Sequence, residues 1–354
     1  MPDAAAAQPA DARDDVAAAL GQFVIHSPTV FAFAGEAPVD VRTAAPASAP
    51  MGSGNGEDPL LTAIRVKLYD RCYSRRSTGA AAASTQDQAN AQSADPSFGR
   101  RLVAANAGRE YWDGGWVIHQ FGPNGQAFVR KGDRERVAMP GAFIFAGPPG
   151  QAPQIGAAVS LRAPHETFDV QPGYYFAFGN TLDELADNLT LVRVYFHCGP
   201  EAAVSLVGEL TGALNRFQTP FQLKTPTQPA LYGRTDALVL YVGARYFPIT
   251  ARIVEGLVGR IPLEAATPLF TKPLWPGVGA AVNPGSGESF GLHRCRLAAE
   301  GIVGAWRRDA SQDTPGRLAA VAACFAAAGL DLQRPWLGPG GVDPFTTPDP
   351  ARLP

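Results

Sequence analysis

The fold of this chain is decided by the stretch FQTPFQLKTPTQPALYGRTDALVLYV, residues 217–242. Two short runs with the apolar alternation typical of β-strands are separated here by a proline-rich turn. A single lysine, Lys224, follows the first alternation and lies between two prolines that restrict the backbone around it. Arg234 and Asp236 then precede the second run. The segment therefore predicts two strands with charged residues at their ends.

A second polar segment, NPGSGESFGLHRCRLAA at residues 283–299, predicts a loop that leads into a helix. His293 and Arg294 lie near the start of that helix, after a loop rich in Gly, Pro and Ser. Both segments bring a cation or a donor-rich backbone to the end of a rigid element, as phosphate-binding sites do. We therefore expect a site that binds an anion.

LVRVYFHC at Leu191–Cys198 is the clearest strand in the sequence. Its period of two places Arg193, Tyr195 and His197 on one face and apolar residues on the other. A solvated sheet face is the simple interpretation of this pattern. A wet cleft is the alternative, because a Tyr and a His recur here between strands that are rich in aromatic residues.

Simple structural interpretations also exist for the other polar residues. A lone lysine such as Lys224 is more often a surface residue than a catalytic one, and Arg234 with Asp236 suits an ordinary ion pair at the start of a strand. The GESFG sequence at 287–291 has neither the spacing of a serine-nucleophile turn nor that of a phosphate or dinucleotide loop. A serine hydrolase is therefore not expected.

Composition excludes several classes of protein. With 46% hydrophobic residues and a net charge of −2, the 354-residue chain can bury a large core but has no field that attracts nucleic acid or anionic membranes. Its four cysteines have no CxxC or CxxH spacing, and no run of about 18 apolar residues occurs. We expect a cytoplasmic protein with reduced thiols and no metal or cofactor.

The order of the elements predicts the α+β class: one large mixed domain of short antiparallel strands flanked by helices, rather than a βαβ alternation. This domain is expected over residues 56–334, with a low-complexity loop at 79–96. Residues 1–55 are rich in Ala, Pro, Asp and Gly, which predicts a flexible, disordered arm. Residues 335–354 are expected to form a tail rich in Pro and Gly.

Five ordered blocks of the sequence resemble the HopA-type effector domain, a family named for a type III secreted protein of plant-pathogenic bacteria. The resemblance extends over roughly residues 60–330. Its blocks are VRVYFH, LN-x4-PFQLK, GRTDALVLYV, PLFTKPLWPGVGAAVNP and SGESFGLHRCRLAAEG. Related domains occur beside kinase-like proteins in gene clusters for ribosomal peptide products, among them class V lanthipeptides and thioamitides.

The resemblance implies a phosphoserine/phosphothreonine lyase. A partner kinase phosphorylates a hydroxyl of a precursor peptide, and the lyase eliminates phosphate to leave dehydroalanine or dehydrobutyrine. Such a lyase needs a base for the Cα proton, and we assign Lys224, because burial among cations can lower the pKa of a lysine.

Other residues are expected to bind the phosphate and to protonate it as it leaves. The leaving phosphate requires arginines, which we take to be Arg193, Arg234 and Arg294. The candidates for the general acid are Tyr195, His197 and His293. Further candidates for phosphate contacts are Lys272 and Ser289.

The expected partners are a kinase-like protein and a precursor peptide with its leader, without nucleic acid or membrane. The alternative is a non-catalytic protein: a type III effector-like molecule, or one that binds a kinase or a leader peptide. Catalysis requires Lys224 and at least two arginines in one cleft, with their terminal atoms within about 10 Å. An interaction protein would instead have these residues scattered and an exposed apolar patch.

Overall fold

The computed structural model describes residues 12–43, 58–74, 95–148, 150–285, 287–310 and 313–345. Within these residues, eight α-helices and three antiparallel sheets form an α+β fold, which confirms the predicted class. The helices are α1 (Ala12–Leu20), α2 (Pro59–Leu68), α3 (Pro96–Ala105), α4 (Leu185–Leu189), α5 (Pro200–Arg216), α6 (Phe247–Glu255), α7 (Phe290–Asp309) and α8 (Thr314–Ala327). A π-helical turn, Tyr69–Tyr73, continues α2. None of the described helices is long and apolar enough to span a membrane.

The strands are short, as the turn-rich sequence predicts. They are β1 (Phe23–Ser27), β2 (Val30–Phe33), β3 (Val39–Asp40), β4 (Tyr111–Phe121), β5 (Ala127–Lys131), β6 (Arg134–Ala138), β7 (Phe143–Phe145), β8 (Ala158–Ala163), β9 (Glu166–Thr167), β10 (Tyr174–Phe178), β11 (Leu191–Phe196), β12 (Phe221–Pro226), β13 (Leu238–Gly243), β14 (Lys272–Trp275) and β15 (Val278–Val282).

Local sequence sets where several helices begin. Asp58 and Asp95 each accept a hydrogen bond from a backbone N–H in the first turn of α2 and α3, and a proline follows each of them. Proline suits the first helical position because the N–H that it lacks has no partner within the helix. Asp313 and Ser289 cap α8 and α7 in the same way through their side-chain oxygens.

The largest sheet has seven strands in the order β14-β15-β11-β13-β12-β10-β9. One face carries Val192, Val194 and Phe196 and packs against α5 and α6 in a large apolar core. The opposite face carries Tyr195 and packs against a second core built by α1, α2, α7 and α8. The sheet is therefore covered by helices on both faces, and polar residues on its second face lie in the interior.

A separate sheet of five strands, in the order β6-β5-β4-β8-β7, has its own small core. Trp116, Ile118 and Val129 are the centre of that core. The lysine side chain of Lys131 reaches the ring of Trp116 and forms an ion pair of 2.7 Å with Asp113.

The expectation of a flexible arm is wrong for residues 12–43. They form α1 and a three-stranded sheet, β1-β2-β3, whose Phe23 and Phe31 side chains are buried in the second core. The guanidinium of Arg317, in α8, donates from Nη1 to the carbonyl oxygens of Leu20 and Phe23 at 3.1 and 2.5 Å. The alanine-rich composition of the wider segment conceals the short apolar alternation at residues 23–33.

The expected C-terminal tail is also wrong for residues 335–345. Leu337 and Phe345 are buried in the first core, where the Phe345 ring meets the Phe247 ring edge to face at 4.9 Å. Isolated apolar residues among prolines and glycines carry no periodic signal, so only the tertiary contacts reveal their burial. Residues 346–354 and most of the expected loop at 79–96 lie outside the described residues.

Candidate functional site

A cleft of about 570 Å³ lies over the second face of the seven-stranded sheet. Strands β11, β12 and β13 form its floor, and the π-helical turn, the segment before β10 and the start of α7 form its walls. We call it the tyrosine cleft, since its lining includes Tyr69, Tyr73, Tyr174, Tyr195 and Tyr241. The charged and hydroxyl residues that line it are Asp70, Arg193, Lys224, Arg234, Asp236, Glu288 and Ser289.

Strand register brings the key residues together. Arg193 on β11 lies opposite Tyr241 on β13, while Tyr195 lies opposite Val239, which in turn lies opposite Lys224 on β12. Lys224 and Tyr195 are thus two strands apart in one row, a Cα separation of about 10 Å. Residues that are distant in sequence therefore point into the same space.

Lys224 is held by a polar contact and an aromatic ring. Its Nζ donates a 2.6 Å hydrogen bond to Oε1 of Gln171 and lies 4.1 Å from the centroid of the Tyr174 ring. Burial is the main cause that lowers the pKa of Lys224, to about 8, and the positive charges of Arg234 and Arg193 lower it further. Asp236 opposes this shift. A substantial fraction of Lys224 is therefore neutral near pH 8 and can accept a proton.

Arg234 and Asp236 form the ordinary ion pair that the sequence also allowed. Nε and Nη2 of Arg234 donate to the two carboxylate oxygens of Asp236 at 2.9 and 3.0 Å, and Nη2 also donates to the Tyr69 hydroxyl at 3.1 Å. Both members of the pair are buried at the cleft wall. The pair thus fixes the guanidinium in place while Arg234 still lines the cleft.

Arg193 has a neutral partner instead of a carboxylate. Its Nε and Nη2 donate to Oδ1 of Asn283 at 2.9 and 2.6 Å, and its guanidinium lies 5.2 Å from the centroid of the Tyr241 ring. An amide oxygen orients the guanidinium without cancelling its charge. Arg193 therefore supplies a fixed positive charge beside the cleft.

Tyr195 is almost completely buried, with 2% of its surface exposed. Its hydroxyl lies beside Tyr73 and Arg193, but within the described residues it makes no hydrogen bond of good geometry. Burial raises the pKa of Tyr195, so its phenol stays protonated at neutral pH. The result is an available O–H donor in the row of Lys224.

The structure places the two candidate histidines outside the tyrosine cleft. β11 ends at Phe196, so the alternation stops before His197. Its Nδ1 lies 3.0 Å from the Ala266 carbonyl oxygen, and its Nε2 lies 3.2 Å from Glu264. His293 lies on α7, where its Nδ1 is 2.7 Å from Nη1 of Arg294. Burial and that arginine lower the pKa of His293 to about 4, which leaves the ring neutral at pH 7.

Arg294 and Lys272 also lie elsewhere, so the expectation that they contact phosphate in this cleft does not fit their positions. Arg294 is 1% exposed and donates from Nε and Nη2 to the carbonyl oxygens of Pro335 and Leu337, both at 2.7 Å. It anchors the C-terminal segment to α7. Lys272 pairs with Asp343 at 2.8 Å and has a similar anchoring position.

Ser289 lines the cleft, although its Oγ also caps α7 by accepting from the Leu292 N–H at 3.3 Å. The aromatic walls of the cleft were not predicted from the sequence. Tyr69 and Tyr73, four residues apart in LYDRCY, stack with their ring centroids 5.1 Å apart. Their helical spacing was visible, but the face they occupy depends on how the π-helical turn meets α7.

The fold and the site define a mixed α+β protein with a tyrosine-lined cleft on one face of an antiparallel sheet, and the cleft holds three basic and three acidic residues. The model of the HopA1 effector protein family matches residues 166–337. This segment contains the whole seven-stranded sheet, α7 and α8. The resemblance seen in the sequence is therefore confirmed over residues 166–337, which match the HopA1 effector family.

Two solved structures are similar to this chain. One is the effector protein from Pseudomonas syringae pv. tomato strain DC3000, at 18% identity and a TM-score of 0.41, over 82% of this chain and 93% of that chain. The other is the effector protein from Pseudomonas syringae pv. syringae strain 61, at 15% identity and a TM-score of 0.40, over 77% and 88%. Among curated proteins, no relative matches this sequence significantly.

Proposed function

We propose that this protein is a phosphoserine/phosphothreonine lyase that eliminates phosphate from a peptide. The observation that carries the proposal is Lys224, whose pKa is lowered to about 8 in the same cleft as Arg193 and Arg234. A base for a Cα proton must be partly neutral near the working pH. A phosphate leaving group with close to two negative charges must meet fixed cations.

In this proposal the neutral Nζ of Lys224 takes the Cα proton of the phosphorylated residue. The electron pair of the C–H bond forms the Cα=Cβ double bond, and the Cβ–O bond to phosphate breaks. The product is dehydroalanine from phosphoserine, or dehydrobutyrine from phosphothreonine, together with inorganic phosphate. Lys224 then returns its proton to solvent, and the acid that protonates the leaving phosphate regains a proton from solvent, so the atoms balance without an oxidant or reductant.

The charges of the cleft fit an incoming phosphate. Its acidic residues have basic neighbours: Asp236 pairs with Arg234, Glu288 lies 3.4 Å from Nε of Arg296, and Asp70 lies 3.7 Å from Nε of Arg71. Within the described part of the chain, no ion pair to a carboxylate is present for Arg193 or Lys224. Arg193 is therefore the principal candidate for binding the leaving phosphate, with Arg234 beside it.

Tyr195 is the candidate acid in this proposal. Of the three residues first considered, it alone lines the tyrosine cleft. Its protonated hydroxyl lacks a well-formed hydrogen bond to the protein, so it can donate to the bridging oxygen as the Cβ–O bond breaks. Ser289 contributes a hydroxyl on the wall formed by the start of α7.

The substrate proposed from the family resemblance is a precursor peptide that a kinase-like partner has phosphorylated, recognised through its leader. The test is to incubate the full chain with a phosphoserine peptide carrying that leader. Loss of the mass of phosphoric acid and trapping of the product by a thiol identify elimination. Lys224→Ala should abolish this reaction, whereas Lys272→Met, outside the cleft, should retain it. No elimination by the wild type in the presence of the kinase would refute the lyase and favour a protein that only binds its partners.

A further inference from the structure

A second cavity, of about 280 Å³, lies on the same face of the seven-stranded sheet. Tyr241 lines both this cavity and the tyrosine cleft. The five-stranded sheet supplies its outer wall through Tyr111, Arg136 and Ala163. We call it the Tyr111 pocket. It therefore lies where the two sheets meet, and it adjoins the tyrosine cleft at Tyr241.

Strand register gives the distance between the two cavities. Lys224 and Gln222 are neighbours on one face of β12, and Gln222 lies opposite Tyr241. The next row toward the Tyr111 pocket contains Leu191, opposite Gly243. Rows on one face are about 7 Å apart, so the row of Leu191 is roughly 13 Å from the row of Lys224. An extended peptide covers that distance in about four residues.

The lining of the Tyr111 pocket suits an apolar side chain. It is built largely from apolar residues, namely Pro164, Phe178, Leu182, Leu191, Pro220 and Phe221. Its acids already have partners, because Asp187 pairs with Arg245 at 2.7 Å and Asp183 accepts a 2.5 Å hydrogen bond from Asn188. Asp183 keeps its charge, because an amide does not neutralise a carboxylate, and Arg136 adds a positive charge to the same lining.

One polar group in this pocket is unsatisfied. The Tyr111 hydroxyl oxygen is buried and has no hydrogen-bond partner within the described residues. Burial is also the largest cause that raises the pKa of Tyr111, so the phenol remains a donor at neutral pH. A buried hydroxyl needs an acceptor, and a backbone carbonyl of an extended peptide can supply one.

We propose that the Tyr111 pocket binds an apolar side chain of the substrate peptide, two to four residues from the phosphorylated residue, while the Tyr111 hydroxyl donates to a peptide carbonyl. This inference rests on the proposed lyase function, since that function places the phosphorylated residue at Lys224. It gives the five-stranded sheet, which lies outside the family match, a role in choosing the peptide.

The test is a leucine scan of a phosphoserine peptide whose other residues near the phosphate are glycine and serine. A single leucine is placed at each position up to four residues on either side. We expect kcat/KM to rise by about 10-fold at one position two to four residues away, the gain from burying one or two methylene groups. The rise should occur on one side of the phosphoserine only.

Two variants connect the preference to the pocket. Ala163→Trp should fill the pocket and remove the preference for leucine, while kcat/KM for the leucine-free peptide stays at the wild-type value. Tyr111→Phe, a conservative change, should raise KM several-fold without lowering kcat. Val117→Trp is the control, because Val117 is an exposed residue of the same sheet.

Peptide binding, measured by fluorescence anisotropy, separates the two proposals. Elimination at equal rates from every leucine peptide overturns the pocket and leaves the lyase intact. If the wild type eliminates nothing, the lyase is refuted. The pocket is still supported if binding depends on the position of the leucine and this dependence is lost in Ala163→Trp. Binding without any dependence on position overturns the pocket.

Discussion

Lys224 places its Nζ 4.1 Å from the centroid of the Tyr174 ring. A cation is attracted to the face of an aromatic ring, so this contact favours the charged lysine. The pKa of Lys224 is nevertheless lowered to about 8, because burial and the nearby arginines oppose the charge more strongly. The lysine is thus balanced between its two protonation states close to neutral pH, the condition that proton abstraction requires.

The pH profile of elimination should report the titration of Lys224. We expect kcat/KM to rise as the pH increases toward about 8, where Lys224 loses its proton, and to level above it. A kinetic series from pH 6 to pH 10 on one phosphopeptide measures this. A rise that continues without a break to pH 10 would mean that a lysine with an ordinary pKa acts as the base.

The free energy of unfolding should also depend on the titration of Lys224. The folded-state pKa of Lys224, about 8, is below its ordinary value of 10.5, so the unfolded chain holds more protons between these values. The free energy of unfolding due to this residue therefore rises with pH in that window, and the burial of its charge destabilises the fold below it. Urea denaturation measures the free energy of unfolding of the wild type and of Lys224→Met at pH 7 and pH 9.5. Between these pH values, that free energy should rise more for the wild type than for the variant. An equal difference at both pH values would contradict the lowered pKa.

The two residues of the Arg234–Asp236 ion pair should shift the pKa of Lys224 in opposite directions. Asp236 raises the pKa of Lys224 and Arg234 lowers it. Asp236→Asn should therefore move the rising limb of the pH profile to lower pH, and Arg234→Gln should move it to higher pH. Each change breaks a buried pair and should cost about 3–5 kcal/mol of stability. Thermal denaturation must therefore first define a temperature at which both variants are folded. Shifts in the same direction would exclude this electrostatic control.

Arg193 should bind the phosphate group of the substrate and make no contribution to binding the rest of the peptide. Arg193→Ala should weaken binding of a phosphoserine peptide by about 1.5–3 kcal/mol, the range for hydrogen bonds to charged groups. Binding of the unphosphorylated peptide should be unchanged, and isothermal titration of both peptides compares them. Arg130→Ala is the control, because Arg130 pairs with Glu135 on the five-stranded sheet. Equal losses for both peptides would assign Arg193 a structural role.

The N-terminal segment should be part of the cooperative fold. Phe23 is 1% exposed, whereas its neighbour Val24 is 41% exposed on the same strand. Phe23→Ala should lower the free energy of unfolding by about 3–5 kcal/mol, and Val24→Ala, the matched control, should have little effect. Equal, small effects in thermal or urea unfolding would show that residues 12–43 are not needed for stability.

The sequence by itself determined the class of the fold and most of its elements. Apolar alternation predicted β11, β12 and β13, and the loop rich in Gly, Pro and Ser predicted the helix that follows it, α7, because both signals are local. The same alternation predicted that Arg193 and Tyr195 share a face. It also singled out Lys224 and Arg234, since cations are conspicuous in apolar segments.

Only the tertiary structure decided which of these residues meet. His197 lies past the end of its strand, and Arg294 points toward the carbonyl groups of Pro335 and Leu337 rather than toward the cleft. Strand order and register bring Lys224 and Tyr195 into one row, although 28 residues separate them in the chain. Such pairings depend on contacts between distant segments, and no local pattern of residues encodes them.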